Sequence, residues 1–331
     1  MKKSCHLLKK TFTDKLFAVK GKTRHALCLL TVLIYCSSLF SCEGGAAIHE
    51  NRSAANSLPQ LNPHDGISYI TNVPLYFRFM DSDFLISKQM DIHVSSGKRV
   101  EEAIITALIS AKGTDSVHTT VIPESTELVS MTENEGILYV TLSSSFADDN
   151  SYNAPNDKQL AVYQILCTLT AQSYNPVQLL IDKSGSGSGE RVTYGELGIA
   201  SGKLKAGEYT SPFVFDSNKL IKPDSFTEYT LSLLKDREFG KAAPLFTDSS
   251  TDRTITSYDL ETLFSVRTIK EFEVVKKDSS DDLYPVECII SIGSFTGKNA
   301  EELHFNIQPV LQNSQYMIPF DEFSKDIGAD K

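Results

Sequence analysis

Two Ser-x-x-Lys pairs have the spacing of a serine nucleophile and its lysine base: Ser95 with Lys98, and Ser232 with Lys235. The Ser-Asp-Asn and Lys-Thr-Gly triplets that complete such a site do not occur in the chain, so the spacing alone does not specify catalysis. HExxH, GxSxG, Walker A and GxGxxG are also missing. The histidines are His6, His25, His49, His64, His93, His118 and His304, and no two stand at the spacing that puts two ligands on one helix face. Asp81-Ser82-Asp83 lacks the downstream Gly and Glu of a calcium loop and reads as a turn. Asp148-Asp149 reads as a solvated acidic loop able to meet a partner. Gly185-Ser186-Gly187-Ser188-Gly189 has no strand–helix context for a phosphate cradle and reads as a flexible segment. The expectation is therefore no catalytic residue, no metal site and no cofactor.

The cysteines point to the N-terminus. Cys5, Cys28, Cys36 and Cys42 fall within the first 42 residues, leaving Cys167 and Cys288 for the folded part. These two lie in apolar helical and strand patterns and read as small buried hydrophobes, with a disulfide between them as the alternative. Eight basic residues and Asp14 precede an uncharged run, Ala26–Phe40, of 15 residues. A bilayer-spanning helix needs about 20 residues, whereas a basic flank before a short apolar core is a secretory signal. Leu39-Phe40-Ser41-Cys42 resembles the bacterial lipobox, although Phe40 is bulkier than usual for that position. The resemblance implies cleavage after residue 41 and diacylglyceration of Cys42, with the lipid bilayer as partner. Residues 42–72 read as a flexible tether, rich in Gly, Ala, Asn, Ser and Pro.

Periodicity then sets out the elements. Leu75–Met80 and Met90–Val94 read as strands. Val100, Ala103, Ile104, Ala107, Leu108 and Ala111 line one face of a helix. Glu127–Thr132 and Ile137–Leu142 form a hairpin across a short turn containing Gly136. Asn156 and Gln159 read as a capping box for a second helix, which Asn175-Pro176 ends. Val177–Ile181 is a further strand. The core order β-α-β-β-α-β implies an α+β domain with helices packed on a sheet.

Over Val73–Asp182 these elements resemble the GerMN domain of spore-germination and sporulation lipoproteins. The resemblance is carried by Val73–Met80, by Glu101-Glu102-Ala103 with Ala107-Leu108, and by Ile122-Pro123-Glu124-Ser125-Thr126-Glu127-Leu128. It continues in Tyr139–Ser143 with Phe146, Leu160–Ile165 with Thr168-Leu169-Thr170, and Leu180-Ile181-Asp182. Ser125 stands where the family has Gly, and 184–189 is an insertion before a tail in which Tyr209–Phe213 matches the family's closing motif. The domain is placed at 73–217. The family has no assigned catalytic residues, so the resemblance implies protein–protein contact with envelope proteins or with further copies.

Residues 218–331 read as a second α+β domain, with helices followed by an antiparallel meander. Pro223 can stand at N1 of the first helix. The candidate strands are Lys270–Lys276, Tyr284–Ile292, Leu303–Leu311 and Gln315–Phe320. Glu238–Phe246 is similar to a helix phrase of the nuclear transport factor-like (cystatin-like) fold.

The formal charge of −10 combines two opposed parts. Beyond Ser41 the chain holds 24 basic against 41 acidic residues, a balance of −17. Nucleic acid is excluded as a partner, since it calls for a basic footprint. The sequence thus reads as a non-enzymatic, lipid-anchored docking protein on the extracytoplasmic face of a bacterial membrane, tied by its resemblance to sporulation or germination. The alternative is a ligand-binding or hydrolytic lipoprotein with its pocket in the C-terminal domain.

Overall fold

β1 (Tyr69–Phe79) and β2 (Leu85–Val94) form an antiparallel hairpin in register from Tyr69↔Val94 to Arg78↔Leu85. The computed structural model describes residues 68–111, 115–172, 175–248, 253–276, 283–294 and 300–328. The proposed signal, Cys42 and most of the proposed tether lie outside these residues. β1 begins at Tyr69, inside the stretch read as tether. Its alternation explains the strand: Val73, Leu75, Phe77 and Phe79 point to one face and are fully buried.

The helix expected over 100–111 is α1 (Val100–Ser110), with Ile104, Ile105 and Leu108 buried. Arg99 is its N-cap, so Ser95 and Ser96 sit in the turn before it. β3 (His118–Thr119) pairs with the end of β1. β4 (Leu128–Asn134) and β5 (Ile137–Ser143) form the expected hairpin. Its two central residues, Glu135 and Gly136, have φ of 51° and 74°, the left-handed pair of a type I′ turn.

α2 (Asp157–Gln172) carries the chain from β5 to the parallel strand β6 (Val177–Asp182). The capping box expected at Asn156 and Gln159 does not form as read. The Asn156 amide reaches the Asp83 carboxylate at 3.4 Å, and the Asp157 carboxylate accepts the Ala154 N–H at 3.0 Å. The short strand β7 (Glu190–Arg191) completes a sheet of order β4-β5-β6-β7, and β2-β1-β3 forms the other sheet. One large core joins these sheets to α1 and α2.

α2 also closes the open edge of β1. The Tyr76 N–H donates to Thr168 Oγ1 at 3.0 Å, Gln164 Nε2 donates to the Tyr76 carbonyl at 3.3 Å, and Gln172 Nε2 donates to the Pro74 carbonyl at 3.0 Å. Helix side chains thereby satisfy main-chain groups that a neighbouring strand would otherwise pair with, as burial requires.

In the C-terminal half, α3 (Pro223–Lys235) starts with Pro at its first turn, as read. α4 (Phe239–Ala242) and β8 (Phe246–Thr247) follow. α5 (Ser257–Leu263) carries a complete capping box between Thr256 and Asp259. β9 (Arg267–Val274), β10 (Val286–Ser294) and β11 (Ala300–Ile307) form the antiparallel meander, with β10 central. The last predicted strand leaves it. β13 (Gln315–Pro319) pairs with β12 (Val310–Gln312) on one side and runs parallel to β8 on the other. α6 (Phe320–Asp326) follows directly.

The two halves share a core within one compact unit. Phe79, Met80, Ile86 and Val117 belong to the same apolar cluster as Phe226, Leu234, Ile290 and Phe323. The Phe79 ring lies 5.7 Å from that of Phe226 and 5.1 Å from that of Tyr229. The connecting chain is tied down as well, since the Ile221 N–H donates to the Leu85 carbonyl at 2.8 Å. Phe79→Ala is expected to cost about 3–5 kcal/mol. Hydrogen exchange should speed up in both β5 and β10; a loss of protection confined to one half would contradict a shared core.

Candidate functional site

A cleft of about 940 Å³ opens where α1 ends, and the segment Thr119–Thr126 forms much of its wall. Arg78 and Asp81 from the β1–β2 turn, and Tyr152 and Asp157 from the approach to α2, complete it. The Arg78 guanidinium is engaged on all sides. Nε donates to the Ser82 carbonyl at 2.8 Å, Nη2 to the Asp81 carbonyl at 2.8 Å, and Nη1 to Asp157 Oδ1 at 3.3 Å. Asp81 Oδ2 lies 4.0 Å from Lys241 Nζ. The Tyr152 hydroxyl donates to the Phe146 carbonyl at 2.6 Å, and burial, then Asp149 and Asp157, push its pKa up, so it stays protonated. Thr126 is 3% exposed, and its hydroxyl has no hydrogen-bond partner.

The Ile122–Leu128 motif thus lies at a cleft and contains a turn. Pro123 and Thr126 make that turn, with the Thr126 N–H on the Pro123 carbonyl at 2.9 Å. A second, shallower groove of about 510 Å³ runs between β2, α1 and Leu128. Ser95, Lys98 and His93 lie there, but Lys98 Nζ faces Glu102 at 3.6 Å. At the other pair, Lys235 Nζ lies 5.8 Å above the Phe272 ring. Neither lysine is placed as a base for its serine.

Asp81-Ser82-Asp83 forms the turn between β1 and β2, closed by the Ser82 hydroxyl donating to the Phe79 carbonyl at 2.7 Å. In the acidic loop, Asp148 accepts the Asn150 N–H at 3.0 Å, and Asp149 is paired with Lys158 at 2.6 Å. Cys167 and Cys288 are buried free thiols, each pushed up to about 12 by burial. The disulfide alternative is not formed. Among the described residues no group of His, Cys, Asp and Glu could hold a metal ion. No described helix is long and apolar enough to cross a membrane.

The Gly/Ser segment departs from the expected flexible insertion. Asp182, 6% exposed, accepts the N–H groups of Ser186 at 3.1 Å and Gly187 at 2.7 Å, so the loop wraps its own carboxylate. Gly189 packs so closely that a Cβ there would stand 2.8 Å from Leu180 Cβ and closer still to the Thr141 hydroxyl. Gly189→Ala should lower stability by about 1–3 kcal/mol, read as a lower urea midpoint. An unchanged midpoint would show the loop to be loosely held.

One titratable cluster lies beside β3. The Asp115 carboxylate accepts the His118 N–H at 2.8 Å, its ring Nδ1–H at 2.9 Å and Lys88 Nζ at 2.7 Å. Burial pushes Asp115 up, but the hydrogen bonds from Lys88 and His118 overcome it and hold the carboxyl well below its usual range. Burial lowers His118 despite the pull of Asp115, so the folded protein favours the neutral imidazole. Its ring stands edge-on to Phe77, 6.1 Å away.

Residues 74–184 match the family model described as Germane, sporulation and spore germination. The match covers about a third of the chain. No curated protein matches the chain. Solved structures do match, two of them as follows. One is described as a lipoprotein from Clostridium perfringens, 23% identical over 34% of this chain and 76% of that one, with a TM-score of 0.23. The other holds the tandem GerMN domains of the sporulation protein GerM from Bacillus subtilis, 13% identical over 46% of this chain and 48% of that one, with a TM-score of 0.31. The assignment rests on the family match. The Germane match ends in the Gly/Ser loop, and residues beyond it complete the sheet through β7 and a bridge from Val177 to Phe213.

The folded His118 pKa lies below its unfolded value of about 6.5. The unfolded chain therefore binds more protons as pH falls through that value, and stability drops. The Asp115 contribution is full above about pH 3.8 and is lost only below it. Melting temperature should fall between pH 7.5 and 5, and His118→Gln should flatten that dependence. An equal slope in the variant would assign the effect elsewhere.

Proposed function

We propose that this chain is a non-enzymatic envelope lipoprotein, anchored through acylated Cys42, whose Germane domain docks onto other envelope proteins during sporulation or germination. The family match over residues 74–184 carries the reading. The lipobox-like Leu39-Phe40-Ser41-Cys42 supports the anchor. A lipid-tethered chain with a side-chain balance of −17 is repelled by anionic headgroups, which favours contacts away from the bilayer surface. The shared core supports docking as one body, because burial of Phe79 and Ile86 in the C-terminal half ties the Germane domain to it.

The alternative placed a pocket in the C-terminal half. The two clefts described above lie on the N-terminal half, and at the one that holds a Ser-x-x-Lys pair, Lys98 faces Glu102. The docking reading is preferred because the family match supports it.

Cys42→Ala should abolish palmitate labelling and shift the chain from the membrane to the soluble fraction; retained labelling would remove Cys42 as the lipid site. Crosslinking in intact cells followed by pull-down should recover envelope proteins. Recovery of none would count against docking.

A further inference from the structure

The groove between β2 and α1 combines an apolar floor with an open strand edge. Met90, Ala103, Ala107 and Leu128 line it, pack on the N-terminal core from outside and stay partly exposed. Its charged residues have partners: the Asn72 amide donates to Asp91 at 2.7 Å, and Lys98 faces Glu102. An uncharged, apolar occupant therefore suits it. β2 is the edge of its sheet. The C-terminal half covers the start of that edge, through the Ile221 N–H on the Leu85 carbonyl and the Gln89 amide on the Ser314 hydroxyl at 3.3 Å. From Met90 to Val94, β2 pairs with β1 alone among the described strands. Proteins cover such edges with a loop or another element.

The chain itself arrives at the uncovered end. β1 starts at Tyr69, opposite Val94, so the preceding residues enter about 5 Å from the strand that forms the groove. Between Cys42 and Tyr69 the only leucines are Leu58 and Leu61, in the uncharged stretch Ser57-Leu58-Pro59-Gln60-Leu61-Asn62. Pro59 biases Leu58 to an extended backbone. A polyproline II segment repeats every three residues, which puts Leu58 and Leu61 on one side, about 9 Å apart. Met90 to His93 spans about 10 Å of β2. Asn62-Pro63 and Asp65-Gly66 favour turns that reverse the chain. The stretch from Leu61 to Tyr69 reaches about 28 Å at most, enough to bring Leu61 past Val94 and along the edge.

We propose that Leu58-Pro59-Gln60-Leu61 of the same chain folds back into this groove as an extended segment, seats both leucines on its apolar floor and covers the open edge of β2. The proposal does not depend on the docking reading. Joined to the lipid-anchor reading, it has a consequence for reach: the free tether shortens from residues 43–67 to residues 43–57, from about 85 Å to about 50 Å when fully extended.

The chain has no Trp, so a single introduced indole reports its own surroundings. The test compares Leu61→Trp with Ala47→Trp, each in the full chain purified in non-ionic detergent. The Leu61→Trp emission should lie to the blue of the Ala47→Trp emission, and acrylamide should quench it severalfold less effectively. Adding Ala107→Glu, which puts a carboxylate on the groove floor, should shift the Leu61→Trp emission to the red, with far-UV circular dichroism checking that the fold survives. Adding Leu58→Asp instead should give the same red shift without touching the groove. The blue emission should persist on dilution, because the segment and the groove belong to one chain. Equal emission from the two tryptophan positions overturns the proposal: equally blue assigns the signal to the detergent, and equally red leaves the groove open to a partner. A blue shift unmoved by both Ala107→Glu and Leu58→Asp places the segment elsewhere and overturns it too. So does a blue shift lost on dilution, which would make the occupant the segment of a second copy.

Discussion

Every core in the described chain takes residues from β1. Val73, Leu75 and Phe77 fill the Germane core, Tyr76 belongs to a small cluster with Leu85, Leu160 and Cys167, and Phe79 and Met80 sit among the C-terminal aromatics. A strand can do this because its side chains alternate between faces and its length carries it from one half into the other. It leaves a problem at the strand's edge. β3 pairs with β1 only at Arg78 and Phe79, so the main-chain groups of Pro74 and Tyr76 need other partners. Thr168, Gln164 and Gln172 supply them from α2. An apolar helix would have buried the same area while stranding a donor and acceptors, each at a cost of about 1–3 kcal/mol.

This explains why α2 is buried nearly all round and still carries polar residues. Lys158 is part of the same economy: its stem lies in the core while its ammonium reaches Asp149 in the loop before the helix. The acidic loop is thus held by its own lysine, and Asp157 beside it locks Arg78 and the β1–β2 turn. The cleft is the space left where these fastenings meet the end of α1.

Much of the architecture was legible because it rests on local rules. The 3.6-residue spacing from Val100 to Ala111 gives α1, and Pro223 marks the start of α3. Gly136 gives the β4–β5 hairpin, since its φ of 74° is one that few other residues adopt. The unread parts depend on contacts distant in sequence. Phe79-Met80 continue the apolar alternation and carry no mark that their partners lie beyond residue 220. Gln164 and Thr168 look like solvent-facing helix positions until the unpaired edge of β1 is known. The Gly/Ser run has the composition of a linker, and only the buried Asp182 carboxylate at its base makes it a closed loop. Gln315–Phe320 has strand composition, but composition does not select its partner, and β8 lies far back in the chain.

The cleft shows the same division between residue type and placement. Ile122–Leu128 was readable as a family motif, but its meaning depends on what faces it. The segment turns at Pro123 and buries Thr126, while α1 brings its carbonyl end and β1 brings Arg78 to the same wall. Arg78 lies one residue before Phe79, whose ring anchors the C-terminal half. Packing between the halves and the position of the cleft's cation are therefore set by adjacent residues on one strand.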